Sequence, residues 1–265
     1  MALKAYWDES QCKEKVGKMD STFHEFAVSQ IKLFIFAGHD TTASTICYVY
    51  HLLSLHRSAL IRLRAEHDAV FGPNLTETDF LIASKPHLLN QIPYTLAIIK
   101  ETLRLFPVVT IPRAGQSDFF LTDPEGRQYP TEGCLVWGVH HGLHRNPRWW
   151  PHPEQFLPER WLVEADHPLY PMKNAWRPFE RGPRACIGQE LAIMEIKMIL
   201  AMTVREFDVC GVYAEWDQVN RRGQRNVKSV EGERAYQIQL GSAHPSDAFP
   251  CRVTWAEHSG SNGMA

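Results

Sequence analysis

From Ser21 to Leu55 the chain holds no proline and a single glycine, Gly38. Apolar positions there, among them Phe26, Ile31, Phe34, Ile35, Ile46, Val49, Leu52 and Leu53, recur at three- and four-residue steps, the period of an amphipathic helix. About 34 residues at ~1.5 Å rise make a rod of roughly 50 Å, enough to cross a whole domain. Whatever else folds must pack along it. A second helix is predicted from Ser58 to Phe71, stopped by Gly72-Pro73, with a short one over Thr76–Ser84. Pro93 suits a first helical turn and Pro107 bars continuation, which bounds another helix at Pro93–Leu105.

Beyond Pro107 the texture changes. Val108 to Trp137 mixes β-branched residues with Gly126, Gly133 and an Asp123-Pro124 turn, which predicts short strands and hairpins. Seven prolines among aromatic residues between Asn146 and Pro178 predict an ordered, irregular loop packed on the body. Gly188 to Val204 is periodic again and helical, and Phe207–Val209, Ala235–Leu240 and Cys251–Trp255 read as short strands. The fold class is mainly α with small β-sheets. Residues 1–20 form a polar leader, 21–256 one body, and 257–265 a tail.

Bulk properties narrow the function. At 44% hydrophobic and 22% charged residues the chain is ordinary globular material, and a formal charge of −2 supplies no basic field for nucleic acid. Six cysteines stand far apart, none as C-x-x-C, which favours a reducing compartment over a disulfide framework. The N-terminus lacks the apolar core of a signal peptide, and no apolar run approaches the roughly 20 residues of a bilayer span.

The most specific signal is Phe179-Glu180-Arg181-Gly182-Pro183-Arg184-Ala185-Cys186-Ile187-Gly188, which fits F-x-x-G-x-R-x-C-x-G at every fixed position. Its chance occurrence in a chain of this length is on the order of one in ten thousand. A cysteine just before a helix meets unpaired amides and the positive end of the dipole, an environment that favours thiolate. Gly182 and Gly188 permit a tight turn and the approach of a flat ring, and Arg184 can pair with a carboxylate. On its own, Cys186 also reads as a small buried hydrophobe. In the long helix, Ala37-Gly38-His39-Asp40-Thr41-Thr42 puts small residues and a threonine pair where glycine costs about 1 kcal/mol. Ala37, Gly38 and Thr41 share a face and leave a hollow fit for a diatomic ligand, or else allow close helix packing with a back-bonded threonine.

Together these segments resemble the cytochrome P-450 family, and the similarity runs from about Phe26 to Trp255 in the family's motif order. The resemblance implies the C-terminal portion of that fold, without the N-terminal half. It further implies haem b as cofactor, Cys186 as the iron's thiolate ligand, Ala37, Gly38, Phe179, Gly182, Ala185, Ile187 and Gly188 around the ring, and Arg184 and Arg113 on its propionates. Asp40 and Thr41 would manage protons during dioxygen cleavage, and His39 has no assigned role. Glu101, Arg104 and Arg160 would form a buried structural triad, although E-x-x-R alone is a common surface pair and Arg113 alone a solvated arginine. Gln30, Phe34, Val108, Val109 and Ser242 would line part of the substrate pocket.

The implied activity is insertion of one oxygen atom from dioxygen into a small apolar substrate, with electrons from NADPH-cytochrome P-450 reductase docking on Lys173, Arg177, Arg181 and Lys197. A haem-thiolate isomerase or dehydratase, or a non-catalytic remnant, are the rival readings. Full-length relatives sit on the cytosolic face of the endoplasmic reticulum membrane; this chain, read without an anchor, is expected in the cytosol. His140, His141 and His144, beside Gly138 and Gly142, are predicted to lie outside a helix and to resemble a packing element rather than a zinc site. Gly232–Tyr236 and Pro250–Val253 are similar to filamentous-fungal members.

Overall fold

The long helix α1 (Ser21–Leu55) is continuous over the predicted range in the computed structural model, which describes residues 21–110, 112–220 and 228–256. The leader 1–20 and the tail 257–265 lie outside the described residues. The chain divides within α1 into two compact units, one ending at Asp40 and the other beginning at Thr41. In the first, Phe26, Ile31, Phe34 and Ile35 are all exposed, so the burial their spacing predicts is not realised there. Burial starts at Thr42, where neighbouring helices supply opposing surface.

In the second unit, α1 is followed by α2 (Arg57–Phe71), α3 (Thr78–Ser84) and α4 (Pro93–Leu105). Gly72 ends α2 at φ 74°, a conformation glycine adopts without strain. The predicted helix over Thr76–Ser84 is split: a 3-10 turn at Leu75–Glu77 precedes α3, because Asn74 accepts the Thr76 amide and tightens the start. Tyr48, Val49, Leu52 and Leu53 of α1 meet Leu60 and Leu63 of α2, Ile98, Ile99 and Leu103 of α4, and Ile196 and Leu200 of a later helix, α6 (Gln189–Thr203). This shared core fixes the start of α6, and hence the position of the cysteine loop before it.

Four two-stranded antiparallel sheets complete the described residues. β1 (Pro112–Ala114) pairs with β4 (Leu135–Trp137), and β2 (Phe120–Thr122) with β3 (Gln128–Pro130). β5 (Phe207–Gly211) pairs with β8 (Cys251–Trp255), and β6 (Gln237–Leu240) with β7 (Ser242–Pro245) around Gly241. One prediction is corrected: His140–His144 form a short helix, α5, closed by the Leu143 amide donating to the Val139 carbonyl. A further helix, α7 (Tyr213–Asn220), and strand β7 had no counterpart in the sequence reading. The proline-rich segment 146–178 has no α-helix or strand, and it buries Trp150 completely. No helix among the described residues is long and apolar enough to cross a membrane.

Candidate active site

Cys186 stands three residues before the first residue of α6, with Gly188 at the helix cap. Its amide donates to the Phe179 carbonyl at 2.8 Å, and the Ala185 amide donates to Gly182 at 3.0 Å, so the loop folds back on itself. Gly182 takes φ 76°, which a side chain would strain. A Cβ on Gly188 would sit 3.8 Å from the Cys186 sulfur, placing that sulfur over the start of α6. Cys186 and Ala185 are exposed, Ile187 is 89% exposed, and Phe179 packs partly buried on the core.

A cleft of about 570 Å³ lies against this loop. Arg113 of β1 and Arg184 of the loop both line it, with Phe119, Leu121, Val136 and Val139 supplying apolar wall. Both arginines are exposed, and Arg113 donates to the Pro112 carbonyl at 3.2 Å. Cys186 is not among the residues lining this cleft, but its loop supplies Arg181, Pro183 and Arg184 to it, and apolar walls with two guanidiniums fit a flat apolar ring that carries carboxylates. A larger cleft, about 1030 Å³, lies beside Leu52, Phe106, Phe156 and Glu233 and includes neither the cysteine nor these arginines.

Behind the loop sits a fully buried charge cluster. Glu101 accepts from Arg104 Nη2 at 2.8 Å and Nε at 3.0 Å, and from Arg160 Nε at 3.0 Å. Its oxygens also accept the Leu157 amide and the Trp161 indole N–H, each at 3.0 Å. The structure thus brings together the three residues the sequence singled out, all with no exposed side-chain surface. Arg104 spends its remaining N–H groups on the carbonyls of His144, Pro153 and Gln155, which ties the proline-rich segment to α4. Burial pushes the Arg160 pKa down, while the Glu101 charge pulls it back up.

α5 joins this cluster to the loop. The Arg177 amide donates to His144 Nε2 at 3.0 Å, and burial, with the charge of His140 next, pushes His144 down to about 3. Sequence reasoning passed over Glu180, which occupies an unspecified motif position. Its carboxylate meets His140 Nε2 at 3.0 Å and Arg177 Nη2 at 2.8 Å. Burial raises the Glu180 pKa, but the Arg177 hydrogen bond and the His140 charge prevail and hold it below the usual carboxylate range.

Other predicted positions scatter. In the first unit Ala37 and Gly38 are exposed, open space surrounds the Gly38 Cβ position, Phe34 is exposed, and Gln30 and Asp40 are half-buried. In the second, Thr41 is half-buried and its carbonyl accepts from Thr45 Oγ1 at 2.8 Å, so Thr45 is a back-bonded threonine. Val108 accepts the Ala243 amide at 2.8 Å, which puts Val108 and the half-buried Val109 beside the buried Ser242. The basic docking face is corrected. Lys197 is buried with Nζ donating to the Leu89 carbonyl at 2.9 Å, and Arg177 is committed to Glu180, which leaves Lys173 and Arg181 exposed.

The cytochrome P450 family model matches residues 3–220. The chain is 52% identical over 254 residues to the cytochrome P450 monooxygenase polC of Polytolypa hystricis (strain UAMH7299), covering 96% of this chain and 46% of polC. It is 36% identical to acrF of Aspergillus aculeatus, covering 88% of this chain and 51% of acrF. A shorter relative, PC-23 of Penicillium crustosum, is 37% identical over 78% of this chain and 98% of its own length. A crystal structure of a cytochrome P450 (CYP102L1) superposes with a TM-score of 0.64 at 26% identity, over 86% of this chain and 45% of that one. The chain therefore spans about half the length of polC and acrF. With its cysteine loop, buried triad and fungal relatives, it belongs to the cytochrome P450 family, whose members generally carry haem and use a redox partner.

Proposed function

We propose that this chain carries the haem-binding and oxygen-activating part of a monooxygenase that inserts one atom of dioxygen into an apolar organic substrate. The second atom leaves as water, and two electrons come from NADPH through a flavoprotein reductase. The observation that carries this reading is the exposed Cys186 thiol at the entry of α6, on a loop that lines a cleft with Arg184 opposite Arg113 of β1. Haem b, when bound, supplies the dioxygen chemistry, with its iron held by the Cys186 thiolate.

The chain's own residues do the rest. Arg113 and Arg184 would hold propionates by charge-assisted hydrogen bonds, and Phe179, Gly182, Ala185, Ile187 and Gly188 would give the ring room and apolar contact, with Ala37 and Gly38 joining them only on the strength of the family resemblance. Asp40 and Thr41 deliver protons on the oxygen side. Gln30, Phe34, Val108, Val109 and Ser242 line part of the substrate pocket, while Glu101, Arg104 and Arg160 hold the segment leading to the loop. Lys173 and Arg181 offer positive charge to an acidic reductase surface.

Expression with haem supplied, followed by reduction and a carbon monoxide difference spectrum, tests the reading. A thiolate-type band is expected, and Cys186→Ala abolishes it. A wild-type chain that takes up no haem overturns the proposal.

A further inference from the structure

Between Arg177 and Cys186 the chain reverses with little regular structure to hold it. Glu180 takes φ 56°, a left-handed conformation that costs a non-glycine residue roughly 1–3 kcal/mol unless its surroundings enforce it. Its side chain is only 11% exposed, although the loop residues that follow it, Arg181 to Ile187, lie open to solvent. Each carboxylate oxygen has a dedicated partner: Oε1 meets His140 and Oε2 accepts from Arg177. The other ring nitrogen of His140 meets the Val109 carbonyl at 3.0 Å. Both ring nitrogens of His140 are thus engaged, one by the Val109 carbonyl and one by the Glu180 carboxylate, which fixes the ring that holds Glu180.

The consequence reaches the sulfur through the backbone. Glu180 follows Phe179, whose carbonyl receives the Cys186 amide at 2.8 Å. Fixing Glu180 therefore fixes the one backbone bond that closes the loop on the cysteine. Its partners are themselves fixed, since the Arg177 amide is held by His144, and His144 by Arg104.

We propose that Glu180 is a positioning residue for Cys186: clamped by His140 and Arg177, it holds the Phe179 carbonyl where the Cys186 amide must close the loop. This rests on the reading of Cys186 as the haem ligand, yet the loop geometry is testable without haem. Amide hydrogen exchange of the full chain is compared for the wild type, Glu180→Gln and His140→Asn, following peptides over 179–189 and over α4. Losing one charge-assisted hydrogen bond raises exchange at the Cys186 amide by at least about tenfold, while α4 keeps its protection. With haem supplied, the same variants show a smaller thiolate-type share of the carbon monoxide band than wild type. Wild-type loop exchange in both variants overturns the proposal, and so does equal loss of protection in α4, which marks a general structural role. If the wild type shows no thiolate-type band, the ligand reading fails while the exchange result still decides the role of Glu180.

Discussion

Thr95 is held twice by Glu66, which accepts its amide at 2.8 Å and its hydroxyl at 2.7 Å through one carboxylate oxygen. The other oxygen accepts the Tyr94 amide at 2.6 Å, so a side chain of α2 caps the first turn of α4, where Pro93 has no N–H to satisfy. Glu66→Ala should cost about 1–2 kcal/mol. Glu66→Gln should cost less, because it keeps an acceptor. A shift in the urea midpoint at constant slope measures both.

The Glu101 cluster gives a larger effect. Glu101→Ala leaves two guanidiniums buried without their carboxylate, and breaking such a group costs about 3–5 kcal/mol. Arg160→Lys keeps the charge but loses the fork that reaches both Glu101 and the Pro151 carbonyl, so an intermediate loss is expected. Thermal unfolding ranks the two.

At Gly115, a Cβ would lie 1.6 Å from the Thr131 carbonyl oxygen, which is backbone and cannot step aside cheaply. Gly115→Ala should therefore destabilise the β1–β4 pair by on the order of 1–3 kcal/mol. Gly38→Ala meets open space inside α1 and should raise stability by up to about 1 kcal/mol. Melting temperatures of the two variants check the contrast.

Acid should weaken the fold through His67. Burial, reinforced by the Arg205 charge, pushes its pKa from 6.5 down to about 3. Its Nε2 donates to Thr95 Oγ1 at 2.8 Å, and Nδ1 has no partner to receive an added proton. The unfolded chain takes up that proton below about pH 6.5 and the folded chain does not, so stability is undiminished above pH 6.5 and falls towards pH 3. At pH 5 the loss is roughly 2 kcal/mol. His67→Gln should flatten that limb in denaturation curves collected from pH 8 to pH 5.

Where the sequence spoke plainly, one local rule decided the outcome. Pro93 and Pro107 bounded α4 to the residue, and strict spacing marked the cysteine loop and the α6 that follows it. The long-range meeting of Glu101 with Arg160 came from family resemblance alone, since no local rule joins residues so far apart. α5 was missed because glycines beside the histidines mimic a turn. β7 was hidden by its ending at Pro245, and α7 by its mixed polarity. Lys197 looked like surface, but its long stem carries the ammonium to a carbonyl at the end of the Pro86–Asn90 turn, at the cost of a pKa lowered by burial. Glu180 carried no signal, because only the folded loop shows what its carboxylate holds.

Arg160 reaches Glu101 across 59 residues of chain. Closing so long a segment costs entropy before any bond repays it, so the shared carboxylate forms late, after α1, α2 and α4 have condensed. Its loss should then hasten unfolding far more than it slows refolding. Kinetically, the aromatic strap from Asn146 to Pro178 latches after those three helices and lets go before them.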